Sequence, residues 1–277
     1  MFKRAFLPMV NYPFPTLPST ISQAISVAQI FRAELSALSL EMEPPLGLGY
    51  GKYTMPFVGT IIAAEEVKAT ANKVAIAADF YEQAQKAGVA HSLVRKSCFR
   101  HEVPDLCAAA ARFCDISLLS VDGNAPLNQW YAEGVIFGSG HPCLVLPQGY
   151  QISLFQRAVI AWDGSSAAIR SITGAIPVLA NAADVLVLTA APDKTVANIE
   201  TEELVSYLHL HGIPAVSEVI EIGERSAADA IADRAHSYRT DLLVMGAFGH
   251  SQLRDFILGS FTRDMLTKPP LPVFMAF

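Results

Sequence analysis

A chain of 277 residues has room for one large domain or two of about 140 residues each. Apolar residues make up 52% of it and charged residues 17%, with 17 glycines and 17 prolines scattered along its length, which excludes disordered, collagen-like and coiled-coil chains. A net charge of −6 and a pI near 5.6 offer no basic face to a nucleic-acid backbone.

At the start of the chain, Lys3 and Arg4 precede the apolar run AFLPMV in the manner of a signal peptide. Pro8, Asn11, Pro13, Pro15 and Pro18 interrupt that run before it reaches useful length, so a first strand is predicted there instead. Mean hydropathy is +0.33, yet no stretch approaches the ~18–20 uninterrupted apolar residues of a bilayer span, and no membrane association is expected. Further along, Cys98, Cys107, Cys114 and Cys143 form no CxxC pair and no zinc or disulfide spacing, as expected of reduced thiols in a cytoplasmic protein. Cys107 and Cys114 are seven apart on a predicted helix, hence on one face, as core thiols. Trp130 and Tyr131 read as packing or interface residues.

The elements of the first half recur in the second. RAFLPMV at 4–10 and RAVIAWD at 157–163 lie 153 residues apart, DISLLSV at 115–121 and DLLVMGA at 241–247 lie 126 apart, and Pro142 of HPCLVLP and Pro272 of LPVFMAF lie 130 apart. Two units follow, residues 1–150 and 151–277. The falling offset assigns about 27 extra residues to the first unit, placed in the Pro/Gly-rich stretch at 43–59 within an insertion near 43–70.

In the compact second unit, the continuous apolar runs AVIAW and DVLVLTA are predicted to be strands covered on both faces. Ser165 and Ser166 are placed to cap the helix between them, with Pro177 in or near its last turn. A helix through TEELVSYLHLHG ends at Gly212 and leads to the strand AVSEVIEI; Ser226 caps an Ala-rich helix, DLLVMG is the fourth strand, a helix lies near 260–267, and PVFMA is the fifth strand. Alternating strands and helices predict an α/β fold, a parallel sheet with right-handed crossovers and helices on both faces.

Open sheets of this kind bind ligands beyond the carboxyl ends of their strands, where the strand order reverses. Asp163, Gly164 and Ser165 follow strand one of the second unit, and GAFGHSQLRDFILGS follows strand four with the spacing G-x2-G-x9-G-S. Gly246 and Gly249 allow positive φ and close backbone approach to a ligand. Gly259 and Ser260 open a helix, where free N–H groups and the dipole attract phosphate, and Ser260 adds a hydroxyl. No Walker lysine accompanies them, so affinity is expected to rest on backbone amides.

With strand one ending in Asp163, the G-x2-G-x9-G-S stretch and the closing LPVF in order, the second unit resembles a universal stress protein (UspA-like) domain of the ATP-binding branch. The resemblance covers about 120 residues closely and the first unit more loosely, so the chain is similar to the tandem members of that family. It implies two five-stranded sheets in the order 3-2-1-4-5, Rossmann-like and akin to the adenine nucleotide α-hydrolase fold. It also implies an adenine nucleotide, ATP with or without Mg2+, whose base lies near Asp163 and Ala190. Ribose and phosphates would contact Met245, Gly246, Gly249, Gly259, Ser260 and Phe261. Ser165 beside Asp163 and His250 beside Gly249 complete the candidate set. Pairing of the fifth strands, CLVLP and PVFMA, is implied too, making the chain a dimer with itself and leaving a further homodimer open.

The first unit departs from this pattern. Val10 stands where Asp163 does and Ser120 where Gly246 does; Gly123 matches Gly249, but the nearest counterpart of the Gly-Ser pair is the displaced Gly134-Val135. That unit is expected to keep the fold without the nucleotide site. Plainer roles remain beside the functional ones: Gly246 and Gly249 as turn glycines, Asp163 as a helix cap, His250 as an ordinary loop residue. His209 and His211, two apart on a helix, point in different directions and make a poor metal pair.

The leading expectation is a cytoplasmic stress-response protein that binds ATP in its C-terminal unit as a regulatory or protective module. No acidic pair for Mg2+ and no base to orient water accompany the glycines, so hydrolysis is expected to be slow at most. The alternative is a protein-interaction module of the same fold without nucleotide, recognising its partner through the insertion. A transferase or ligase of related fold would carry an SGGxDS-like loop after strand one, which AWDGSSAA lacks.

Overall fold

The computed structural model describes the chain apart from residues 44–57, 122–125, 153, 192–198, 224–225 and 248–259. Its strands are β1 (Arg4–Val10), β2 (Glu34–Met42), β3 (His91–Cys98), β4 (Ile116–Val121), β5 (Cys143–Pro147), β6 (Arg157–Ala161), β7 (Asp184–Ala191), β8 (Ala215–Glu221), β9 (Leu242–Gly246) and β10 (Val273–Ala276). The helices are α1 (Pro18–Phe31), α2 (Val58–Lys86), α3 (Val103–Ala111), α4 (Pro126–Gly138), α5 (Ser166–Leu179), α6 (Ile199–Leu210), α7 (Ala227–Ser237) and α8 (Ser260–Thr267).

One sheet contains all ten strands, in the order β3-β2-β1-β4-β5-β10-β9-β6-β7-β8. Each half therefore has the order 3-2-1-4-5, with its strands parallel. The halves join where β5 and β10 pair antiparallel, Leu144 opposite Phe274 and Val145 opposite Val273. Parallel strands need cover on both faces, and two apolar cores supply it. Helices α1, α2, α5 and α6 pack on one face, through Ile25, Phe80, Ile172 and Leu208 among others. On the other face lie α3, α4, α7 and α8, through Cys107, Val135, Ile231 and Leu266.

Local chemistry sets the ends of these elements. The Ser165 and Ser226 hydroxyls accept from the backbone N–H of Ala168 and Asp229 at the starts of α5 and α7, and Pro177 lies in the last turn of α5. The aspartates that open the repeated DISLLSV and DLLVMGA runs have one structural task. Asp115 accepts the backbone N–H groups of Lys3 and Arg4, at 2.6 and 2.9 Å, and Asp241 those of Gln156 and Arg157, at 2.9 and 3.0 Å. Each thereby clamps the start of the first strand of its half beside the fourth.

Two expectations need correction. The extra length of the first half is not confined to 43–59, most of which lies outside the described residues, because α2 has 29 residues where its counterpart α6 has 12. Helix α3 ends at Ala111, so Cys114 lies beyond it and shares no helix face with Cys107. Both thiols are nonetheless buried; burial pushes the Cys114 thiol up to about 11 and that of Cys107 higher still, so neither ionises readily at neutral pH.

Candidate functional site

At the carboxyl ends of β6, β7 and β9 the sheet gathers Asp163, Ser165, Ala190, Met245 and Gly246. The register aligns them: Ala161 pairs with Leu188 on one side and with Met245 on the other, so Asp163 and Ala190 each stand two residues beyond the same rung. Gly164 turns the chain after β6 with φ of +75°, a conformation a Cβ would strain. Asp163 is exposed, and its Oδ1 accepts the Ser165 N–H at 3.0 Å. It is thus not the helix cap; that task falls to Ser165, whose Oγ accepts from Ala168 N at 3.1 Å.

Two of the expected roles change. Gly246 does not use the positive φ that glycine allows: it ends β9 in a strand conformation, and its Cβ would stand 2.6 Å from Ala168 N and 2.9 Å from Ala167 C. The close approach that demands glycine here is made by the backbone of α5. Met245 is only 4% exposed, its side chain in the core, which leaves its backbone alone to meet a ligand. Ser260 begins α8, as the Gly-Ser reading requires, and Phe261 follows in its first turn. Gly249, His250 and Gly259 lie outside the described residues.

Sequence reasoning missed Glu200. Its Oε2 stands 3.1 Å from where a Cβ on Gly164 would be, which brings the first turn of α6 against the loop after β6. Thr201, next to it, is buried and shares a hydroxyl contact of 3.5 Å with Thr189 near the end of β7. The acidic run IETEEL was the available signal, but nothing local ties it to Gly164. Beside Asp163, Trp162 is buried and its Nε1 has no acceptor among the described residues.

The same place in the first half is built differently. Val10 and Leu40, the register counterparts of Asp163 and Ala190, are 2% and 0% exposed. Pairing of β1 with β4 ends at Phe6 opposite Ser117, two residues before Pro8, which has no N–H to extend the ladder, whereas β6 pairs with β9 to its end. On the other side of β1, the buried Asn11 ties the chain to β2 and α2: its Oδ1 accepts from Met42 N at 2.8 Å, and its Nδ2 donates to Met42 O at 3.3 Å and Ala69 O at 3.1 Å. A cleft of about 310 Å3 remains there, lined by Glu41, Glu43 and Glu66 with a single Lys73 that already pairs with Glu41 at 3.4 Å. Glu41 pairs with Arg95 as well, but Glu43 and Glu66 leave the cleft with net negative charge, which opposes a polyphosphate. Gly134 lies inside α4, where a Cβ would stand 2.5 Å from Pro104 Cβ of α3, so it serves helix packing and opens no phosphate site.

Elsewhere, the His209 ring bonds Ala215 O at 2.8 Å and the His211 ring lies edge-on to Tyr207 at 4.7 Å. Tyr131 is buried and Trp130 is exposed. No helix among the described residues is long and apolar enough to cross a membrane.

The model of the Universal stress protein family matches residues 154–276. A universal stress protein of Synechocystis is 32% identical over 147 residues, 51% of this chain and 48% of that protein, so the match spans about half the relative's length. Among solved structures, a universal stress protein from Archaeoglobus fulgidus matches with a TM-score of 0.70 at 16% identity, over 99% of this chain and 95% of that one. A functionally unknown protein from Pseudomonas aeruginosa matches with a TM-score of 0.57 at 12% identity, over 97% and 91% of the two chains. At such identities the likeness to these structures is one of fold.

Proposed function

We propose that residues 154–276, which match the model of the Universal stress protein family, bind ATP at the carboxyl ends of β6, β7 and β9 as a nucleotide-dependent stress-response module. The contrast between the halves carries the reading. At equivalent positions the second half offers an exposed carboxylate at Asp163, a tight turn at Gly164 and a helix start at Ser260, while the first half offers buried Val10 and Leu40 and a locked Asn11. Asp163 accepts the adenine amino group, and the N–H groups at the start of α8 hold phosphate without a lysine. Glu200 brings a second carboxylate to the loop after β6. A cytoplasmic location is part of the same proposal.

A rival reading keeps the fold as a protein-interaction module, and it draws on Gly246, whose glycine is accounted for by α5 alone. Thermal stabilisation by ATP separates the two. At a ligand concentration 100 times Kd, one site adds ~2.7 kcal/mol to folding stability. An unfolding midpoint that ATP leaves unmoved, with no nucleotide bound in equilibrium dialysis, overturns the proposal and favours the rival.

A further inference from the structure

Helix α2 is buried on one side only. Ala69, Ile76, Ala77, Phe80 and Ala84 face the core, and at 3.6 residues per turn the opposite side carries Ala64, Val67, Ala71, Val74, Ala78 and Tyr81. All six are exposed, Val67 at 71%, Val74 at 60% and Tyr81 at 48%. Their spacing alternates between three and four residues, which is the seam of a helix pair, with alanine at one core position and Val, Val and Tyr at the other. A surface helix of a folded unit ordinarily presents charge on this side.

We propose that this face of α2 is a homodimer seam, on which α2 of a second copy of the chain packs antiparallel. The charges beside the seam select both the occupant and its direction. On one flank, at heptad intervals, stand Lys68, Ala75 and Glu82. In an antiparallel pair each flank faces its own copy, so a two-fold axis between Val74 and Ala78 sets Lys68 against Glu82 of the partner subunit, and Glu82 against Lys68 of the partner subunit. The same axis places Val74 on the partner's Ala78 and Ala71 on the partner's Tyr81, small against large in these central layers, with Val67 beside the partner's Gln85 at each end. In a parallel pair Lys68 and Glu82 would instead face Ala63 and Ala77, and no ion pair would form. Among the described residues Lys68 makes one ion pair, a 3.9 Å approach to half-buried Glu65, too weak to hold it. The alanines let the helix axes approach to about 8 Å. One helix per chain makes a small interface, so Kd is on the order of 10–100 µM.

Sedimentation equilibrium of the full chain across that range tests the proposal. A reversible dimer is expected, which Val74→Glu converts to monomer without lowering the thermal midpoint, since Val74 is exposed. Lys68→Glu and Glu82→Lys each weaken the dimer about tenfold by setting like charges together, and the double variant Lys68→Glu/Glu82→Lys recovers wild-type Kd. A wild-type monomer at about 1 mM overturns the proposal. So does a dimer that survives Val74→Glu, and a double variant that stays as weak as the single ones refutes the antiparallel pairing.

Discussion

The amide nitrogen of Ala168, in the first turn of α5, lies 2.6 Å from the point where a Cβ on Gly246 would stand. The corresponding pair in the first half is Thr20 and Ser120, whose hydroxyls meet at 3.3 Å across the gap between α1 and β4. Removing one side chain thus seats the start of α5 directly on the end of β9. That draws the helix and its cap, Ser165, close to Asp163.

Gly246→Ala is therefore expected to act on the fold as well as on the ligand. The added methyl must push α5 or β9 aside, at a cost of about 1–3 kcal/mol as for other overpacked sites. Urea unfolding measures it. A variant that keeps full stability but loses nucleotide would return Gly246 to a purely ligand-facing role.

Asp163→Ala should weaken adenine nucleotides about tenfold while leaving inorganic triphosphate nearly unaffected, because in the proposed site the carboxylate bonds the adenine amino group and is remote from phosphate. Preference for ATP over GTP should fall with it, since guanine presents a carbonyl at that edge. Competition titrations give the three affinities. Equal losses for ATP and triphosphate would return Asp163 to a structural role, such as its bond to Ser165 N.

The double variant Gly259→Ala/Ser260→Ala should reduce ATP affinity roughly ten- to a hundredfold, the range for losing a hydrogen bond to a charged group together with close backbone approach. Circular dichroism and the thermal midpoint should stay at wild-type values. Unchanged ATP affinity in the folded variant would remove the start of α8 from the site.

How far the sequence discloses this architecture depends on the range of the interaction involved. Ser165, Ser226 and Gly212 are legible because a cap or a left-handed turn is decided within a few residues, and the continuous apolar runs betray doubly covered strands. Contacts between distant segments are not. The need for glycine at 246 comes from a helix start 78 positions earlier, Glu200 reaches Gly164 only once α6 is docked, and Asn11 is polar yet buried because it bridges to Met42 and Ala69. Helix α2 hides for another reason: exposed Val67, Val74 and Tyr81 stand among its charged residues, which blurs the one-sided pattern that marks a surface helix.

The paired clamps Asp115 and Asp241 should respond oppositely to pH. Burial resists ionisation of Asp115, but the backbone N–H groups of Arg4 and Lys3 outweigh it and hold its pKa below the usual carboxylate value. At Asp241 burial wins over the N–H groups of Gln156 and Arg157, and its pKa is raised. A lowered folded pKa gives stability that is complete above the unfolded value and lost as pH falls through the folded one; a raised pKa gives stability that is complete below the unfolded value and lost as pH rises through the folded one. The destabilisation by Asp115→Asn, read as a thermal midpoint against wild type, should accordingly shrink between pH 7 and about pH 3, while that by Asp241→Asn grows. Parallel trends in the two variants would contradict the assigned shifts.

One nucleotide per chain is expected, bound by residues 157–277, and none by residues 1–147. Val10 has no side-chain acceptor, Leu40 fills the space that Ala190 leaves half open, and Asn11 already occupies the backbone N–H and C=O of Met42. The acidic cleft beside it opposes phosphate. Calorimetric titration with ATP should give a ratio near one, and Asp163→Ala should weaken that single site. Asn11→Ala, which frees the Met42 backbone, should leave the ratio at one, because the carboxylates of Glu43 and Glu66 still oppose a triphosphate. It should nonetheless cost about 1–3 kcal/mol in stability from the buried polar groups it strands. A wild-type ratio near two would mean that the first half binds nucleotide despite its buried Val10 and Leu40, and the functional asymmetry between the halves would then be lost.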